Sequence, residues 1–449
     1  MKVLLISANT LCEPYPVYPL GLDYVAGAIA GSHEVRCLDL NSLDAHGGLT
    51  HAVKSFEPDI IGISLRNIDN TDAQHPQGFM GHYTQVAQAI RECSQAPIVL
   101  GGTGFTLFAP EIMRLLAADY GIIGEGERLA LLLDALELGD DPAAIPGVIV
   151  GAGTVQKPEP WPGAAVRRFD PQAAHLPHYL RNGGMLNLQT KRGCPFRCVY
   201  CSYPFFEGSS MQCEPPERIA RMAMDLQEAG AKYIFITDSA FNADCGHSLA
   251  VAKAFKRSGL GIPWGGFFAP VPGPADYFSI LAECGLKHVE FGTESLSDTV
   301  LAAYRKPFLR HQALAAHKAA NAAGLHVAHY FLLGGPGETA ETVAQSLSEM
   351  DRLEKTAFFI FIGMRIYPHT VLYEIALREG QISTEQSILE PVFYAPSSNS
   401  LTDIASQVEE RAQGKMHWIR AAGGEQTGRI LSRMYRRGHT GPLWEHLIR

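Results

Sequence analysis

The sequence predicts an α/β protein made of two successive parallel-sheet units and a small, mainly helical tail. Three observations predict it. Short apolar segments alternate with helical ones through the first 150 residues, and a second such series begins at Met185. Glycines gather where the apolar segments end, at Gly101, Gly102 and Gly104 and again at Gly124 and Gly126. Between the two series lies a proline-rich stretch without period. Near-continuous apolar strands separated by helices belong to a sheet covered on both faces. The units expected are 1–150, a linker over 151–184, a second unit over 185–375 and a tail over 376–449.

In the first unit, strands are expected at Lys2–Ser7, Val35–Leu40, Asp59–Ser64, Pro97–Gly101 and Tyr120–Ile123, with a helix over Tyr18–Ala30. The linker holds Pro158, Pro160, Pro162, Pro171 and Pro177, which break both helix and ladder. In the second unit, strands are expected at Met185–Thr190, Tyr233–Asp238, Gly265–Pro270, His288–Gly292, Val327–Leu333 and Phe358–Ile366. Helices are expected between them at Pro216–Ala229, Asp298–Tyr304, Gln312–Ala323 and Thr339–Leu353. The tail reads as an extended stretch around Pro391–Tyr394 followed by helices over Leu401–Trp418 and Glu425–Arg437.

Composition narrows the function classes. A chain of 449 residues with 46% hydrophobic and 18% charged residues can bury substantial cores. The formal charge of -9 lacks the basic footprint of a nucleic-acid binder. No apolar run approaches the ~20 residues that span a bilayer. Nine cysteines, an odd count with three of them clustered, indicate a reducing compartment, so a cytoplasmic location is expected.

The three clustered cysteines are Cys194, Cys198 and Cys201, in the run Lys-Arg-Gly-Cys-Pro-Phe-Arg-Cys-Val-Tyr-Cys. Three thiolates at this spacing can hold three irons of a cubane and leave the fourth open to a small molecule. A zinc reading needs a fourth protein ligand, and Cys213, the nearest spare thiol, lies beyond a loop. The Cys-x3-Cys-x-aromatic-Cys pattern resembles that of the radical S-adenosylmethionine enzymes. The resemblance implies a [4Fe-4S] cluster whose open iron chelates S-adenosylmethionine and whose electron releases a 5′-deoxyadenosyl radical. Tyr200, before the last cysteine, would then lie near the adenine.

The glycine-rich turn at 101–104 is weak evidence alone and is not a dinucleotide fingerprint, which should follow the first strand. Its context resembles the Rossmann-like cobalamin-binding domain that precedes many radical S-adenosylmethionine domains. The resemblance implies that Ser64, Gly101, Gly102, Gly104, Gly124, Glu125, Gly126 and Glu127 line a cobalamin. The loop carrying Arg66 and Asn67 would sit beside the corrin. One departure matters. The family's Asp-x-His-x-x-Gly stretch corresponds to Pro16–Gly21, where Tyr18 stands in place of the cobalt-ligating histidine, and no histidine precedes Gly31. Either the domain has lost the cofactor or, the expected case, cobalamin binds without a protein imidazole.

The second series resembles the partial (β/α)6 TIM-type barrel of the same family, whose sites sit at the carboxyl ends of the strands. The resemblance implies that Asp238, Ser239 and Asn242 meet the methionyl amino group. Helix capping is the competing role for Asp238. Glu294 and Ser295 would meet the ribose or carboxylate, and Gly334 and Gly335 the adenine. Glu338 reads as a helix-start acid. Arg365 and Tyr367, in an Arg-x-Tyr-Pro edge where His369 replaces a glycine, are the candidate catalytic residues facing the barrel. His326 and His329, three apart on a strand, face opposite ways and make no joint metal site.

The function implied is methylation of an unactivated carbon of a small molecule, with cobalamin carrying the methyl group. A rearrangement, cyclisation or ring contraction using the same cofactors is the near alternative, and a non-catalytic cobalamin or Fe–S sensor the distant one. An external one-electron reductant such as flavodoxin or ferredoxin is the implied partner. Neither nucleic acid nor a membrane span is expected.

Overall fold

A computed structural model describes residues 1–12, 15–43, 47–153, 156, 158, 159, 161, 163–420 and 424–448. Pro160 and Pro162 of the linker lie outside the described residues. Two sheets organise the molecule. The first has strands β1 (Lys2–Ser7), β2 (Glu34–Asp39), β3 (Ile60–Ser64), β4 (Ile98–Gly101), β5 (Tyr120–Ile122) and β6 (Val148–Val150), in the order β2-β1-β3-β4-β5-β6. All neighbours run parallel except β5 and β6. The antiparallel edge strand β6 has no counterpart in the sequence reading, where these three apolar residues close the first unit without an assigned strand.

Helices cover both faces of this sheet, as the apolar runs require. Ile6, Ile61, Ile63 and Leu100 pack to one side, and Val3, Leu5, Ile60 and Val99 to the other. The order reverses between β1 and β3, because β2 lies outside β1 while β3 and β4 proceed the other way. The crevice at such a switch point, at the carboxyl edge, is where an open α/β sheet binds its ligand.

The second sheet is parallel throughout. Its strands are β7 (Met185–Leu188), β8 (Tyr233–Ile236), β9 (Trp264–Phe268), β10 (Leu286–Glu294), β11 (His326–Leu333), β12 (Thr356–Ile362) and β13 (Trp418–Arg420), each beside its sequence neighbour. Six of them match the expected series. The seventh corrects it: the helix expected to Trp418 ends at Ala412, and Trp418–Arg420 joins β12 as an edge strand.

The tail is woven into the barrel rather than set on its mouth. Phe393 and Tyr394 pair antiparallel with Arg365 and Met364. Residues 441–448 close the amino-terminal end of the barrel. There Gly441 N donates to Gly183 O at 2.9 Å, and Trp444 Nε1 donates to Glu290 Oε1 at 2.9 Å. Both carboxyl edges remain open toward one another.

Candidate functional site

The cysteine loop leaves β7 through a two-residue hairpin, Lys191–Arg192 against Gln212–Cys213. Gly193 then takes φ +83, and a Cβ there would meet Ser210 O at 2.2 Å, so only glycine lets the chain turn into the cysteines. Cys194 N donates to Gly208 O at 3.1 Å, and Val199 N to Tyr304 O at 3.1 Å. Cys194 is buried and Cys198 and Cys201 half-buried. Burial pushes the Cys201 thiol up to about 12. Among the described residues no three His, Cys, Asp or Glu side chains converge on a single-ion site. Thiolates around a cubane bind different irons and need no such convergence, so the loop fits a cluster better than one zinc ion.

Tyr200 anchors a polar set beside the cysteines. Its hydroxyl donates to Glu294 Oε1 at 2.9 Å, and Lys306 Nζ lies 3.3 Å from the phenol oxygen and 3.4 Å from the same carboxylate. Glu294 takes φ +65 where the β10–β11 register slips between Gly292 and Glu294. A bulge of this kind re-aims a side chain. Here it turns the carboxylate toward Tyr200. Tyr200, Ser239, Glu294 and Tyr367 all line a barrel cavity of about 390 Å³.

Other expected contacts are not free to meet a ligand. Asp238, 1% exposed, takes Lys191 Nζ at 2.7 Å, Thr190 N at 2.7 Å and the Thr190 hydroxyl at 2.5 Å. It is neither an ammonium receptor nor a helix cap but the partner of a buried lysine on the cluster loop. Asn242 bridges to the Ala269 backbone through both amide atoms, at 2.7 and 2.9 Å. Ser295, fully buried, pairs with Ser346. Glu338 receives Gly334 N and the Tyr304 hydroxyl, at 3.2 and 3.1 Å, and so fixes the glycine turn at Gly334 and Gly335.

Arg365 lines the barrel cavity as Tyr367 does, but its guanidinium is engaged within the protein. Its Nε donates to Asp69 Oδ2 at 2.8 Å, and its terminal nitrogens reach the carbonyls of Ile366 and Ile388 at 2.6 and 2.7 Å. With the side chains 3% and 0% exposed, this buried pair ties the loop after β3 to the barrel edge. Tyr367 reaches the same Asp69 at 3.4 Å. His326 and His329 do part as expected. His326 stacks on His288, while His329 joins Thr293 and His317 in a buried chain, at 2.6 and 3.0 Å.

A second cavity, of about 460 Å³, opens at the carboxyl edge of the first sheet. Ser64, Arg66, Asn67, Gly101, Gly102, Gly124, Glu125, Gly126 and Glu127 line it, joined from the barrel by Asn187, Gln189, Arg192 and Glu207. Gly104 stands behind this wall, buried against the Leu65 and Arg66 carbonyls. Gly102 takes φ +97, and a Cβ there would stand 2.7 Å from Leu65 O. The bare backbone keeps the cradle open to a bulky ligand.

The Arg66 guanidinium is ringed by protein yet reached through this cavity, and makes no hydrogen bond or ion pair among the described residues. Burial pulls its pKa down. An unpaired donor group among glycines suits a ligand rich in acceptors. No histidine is among the lining residues. Tyr18 touches the cavity, but its hydroxyl donates to Asp23 at 3.0 Å and its ring packs on Tyr179, so the phenol is turned away.

The barrel-side residues of this wall escaped the sequence reading. Arg192 lies two residues before Cys194, yet its guanidinium reaches Glu127 at 2.5 Å and Glu125 at 3.8 Å. Glu207 accepts from Gln189 Nε2 and Gly193 N, at 3.1 and 3.3 Å, and burial pushes its carboxyl up to about 7. The charge at Arg192 beside a cofactor motif was the available signal. Nothing local marked Glu207.

Comparison with known proteins agrees with this layout. Residues 6–133 match the B12 binding domain and residues 188–350 the radical SAM superfamily. A methyltransferase of uncharacterized activity from Pyrococcus horikoshii is 29% identical over 401 residues, covering 86% of this chain and 85% of that protein. The tryptophan 2-C-methyltransferase of Streptomyces laurentii is 24% identical, covering 82% of this chain and 73% of that one. Among solved structures, the radical S-adenosylmethionine methyltransferase TsrM from Kitasatospora setae superposes with a TM-score of 0.87. It is 21% identical and covers 99% of this chain and 97% of that one. The cobalamin-dependent S-adenosylmethionine radical enzyme OxsB superposes at 0.73, with 16% identity, 93% of this chain and 67% of that one.

Proposed function

We propose, from the premise that the chain belongs to the cobalamin-dependent radical S-adenosylmethionine enzymes, that it methylates an unactivated carbon of a small molecule. One observation carries the reading. The cavity on the first sheet and the cavity in the barrel open side by side, with the loop from Arg66 to Thr71 bordering both. Two ligands seated there would face a shared space. Reaction between bound groups needs such orientation, and exclusion of water as well.

The bound cofactors supply one-electron chemistry from the cluster and S-adenosylmethionine, and a transferable methyl group from cobalamin. The chain's own residues hold and orient. Cys194, Cys198 and Cys201 would hold the cluster. Tyr200, Ser239, Glu294 and Lys306 would fix S-adenosylmethionine beside it, and the glycines of 101–104 and 124–126 would cradle cobalamin. Asp69 and Arg365 position the loop between the cavities, and the Tyr367 ring closes the gap from the barrel edge. An external one-electron reductant would serve the cluster from the surrounding medium, and a reducing compartment would suit the free thiols.

The test is anaerobic reconstitution with iron, sulfide, cobalamin and S-adenosylmethionine, screening candidate substrates by mass. A product heavier by one methylene is expected. A product of unchanged mass, formed together with 5′-deoxyadenosine, would assign rearrangement instead. Ala at any of the three cysteines should abolish cluster absorbance and turnover together, and turnover surviving such a change would remove the reading.

A further inference from the structure

We propose that Tyr330 and Glu290 make the barrel cavity selective for a planar ring that carries a hydrogen-bond donor. The inference rests on reading this cavity as the substrate site. Six aromatic residues line it, among them Phe267, Tyr330 and Phe361, whose rings meet one another. Tyr330 lies nearly parallel to Phe361, with centroids 6.2 Å apart at 9°, and stacks on Phe359 at 4.7 Å and 15°. Phe267 meets Tyr330 edge-on, at 5.9 Å and 75°. Between Phe267 and Tyr330, Gly292 of β10, the register partner of Tyr330, presents no side chain, which leaves a slot over the aromatic faces. A flat ring gains offset or edge contacts there that an aliphatic chain of equal size does not.

The polar end of the slot is directional. The Tyr330 hydroxyl donates to Glu290 Oε2 at 2.8 Å, while Trp444 Nε1 donates to Oε1 at 2.9 Å. The indole N–H is donor-only, so Oε1 accepts from it, and Oε2 accepts the phenol proton when Glu290 is ionised. With its own proton committed to Glu290, the phenol oxygen offers only lone pairs to the cavity. Glu290 is 1% exposed and forms no ion pair among the described residues. Tyr15, Tyr233, Tyr330 and Glu445 are the titratable groups that act on it, and none is a cation. Burial pushes its carboxyl up to about 7, so it is chiefly ionised at a pH near 8. A ring N–H or O–H completes this arrangement, and a ring that offers only acceptors leaves two oxygens opposed.

S-adenosylmethionine also carries donors, in its ribose and its ammonium. The polar set of Tyr200, Glu294 and Lys306 stands at the cluster end of the cavity, two strand residues from Gly292, whereas Glu290 lies two residues deeper. The donor met by Tyr330 is therefore assigned to the substrate.

The test uses three probes on the cluster- and cobalamin-loaded protein near pH 8: indole, benzothiophene and cyclohexanol. Binding is measured by calorimetry. Indole should bind about tenfold tighter than benzothiophene, which lacks the N–H, and tighter than cyclohexanol, which lacks the plane. Tyr330→Phe should abolish the preference for indole over benzothiophene while leaving cluster and cobalamin absorbance intact. Glu290→Gln should do the same, because the amide can donate to the phenol and turn its proton toward the cavity. Binding of S-adenosylmethionine to Tyr330→Phe should be unchanged. Equal binding of indole and benzothiophene, a preference surviving both substitutions, no measurable binding of indole, or a loss of S-adenosylmethionine affinity in Tyr330→Phe would each overturn the proposal. These are binding readouts, so their failure leaves the product-mass test of methyl transfer standing.

Discussion

Arg365 and Asp69 lie 296 residues apart in sequence and hold the two halves together through one buried contact. Removing one partner strands the other charge in a nearly dry site. Asp69→Ala should therefore destabilise the fold by about 3–5 kcal/mol. Thermal denaturation reads the loss, and a melting temperature equal to that of the unsubstituted protein would contradict it. The His317–His329 pair gives a second outcome. Burial holds His317 down to about 4 and His329 well below its ordinary value. The unfolded chain binds those protons first as pH falls below about 6.5, so the pair's contribution is complete above that pH and drains away toward 4. Glu207 and Glu290, both raised to about 7, act in the opposite sense, so a single pH curve does not isolate the histidines. The difference does: the stability gap between the protein and His317→Asn should narrow as pH drops from about 7.5 to about 5.

At the same scale, the sequence showed residue types at strand ends but not their partners. Asp238 follows a strand in the right place for a ligand, and only the fold brings Lys191 and Thr190 against it. Glu294 and Tyr200 could be singled out because the segments that carry them, Gly-Thr-Glu-Ser and Cys-Val-Tyr-Cys, are local in sequence. Glu290 and Tyr330 were not, since an acid inside an apolar strand takes its meaning from Trp444, 154 residues away.

At the level of elements, the cluster hairpin and the loop after β5 are one mechanical piece. Arg192 lies over the Tyr24 ring, 4.7 Å from its centroid, and pairs with Glu127, whose side chain is 3% exposed. Binding at one site should therefore be linked to binding at the other, equally in both directions. In the unsubstituted protein, loading the cluster should tighten cobalamin binding, and Arg192→Gln should erase that difference. Absorbance titration of cobalamin with and without the cluster measures it. An unchanged ratio in Arg192→Gln would remove the linkage. The periodic strands and helices were readable from apolar runs alone. The strands β6 and β13, three residues each, were not, because so short a segment takes its conformation from the strand it pairs with.

For the molecule as a whole, one apolar cluster runs through both halves. It joins Leu65, Ile68 and Phe79 of the first unit to Tyr304, Met364 and Leu372 of the second. Shared burial of this kind makes unfolding cooperative across the boundary. Calorimetry should show a single transition, and two resolved transitions would mean that the halves stand independently.

The segment at 441–448 has a consequence in time as well as space. The ribosome delivers the chain from its amino end, so β7 to β12 emerge well before Trp444. Until then Glu290 faces an unsealed opening at the amino-terminal end of the barrel, without one of its two donors. A growing chain can thus assemble most of its parallel strands but cannot finish the interior. A chaperone or a protease meeting it midway would find a half-built barrel with its aromatic lining on show. Synthesis itself therefore sets the moment at which the cavity first becomes able to choose what enters it.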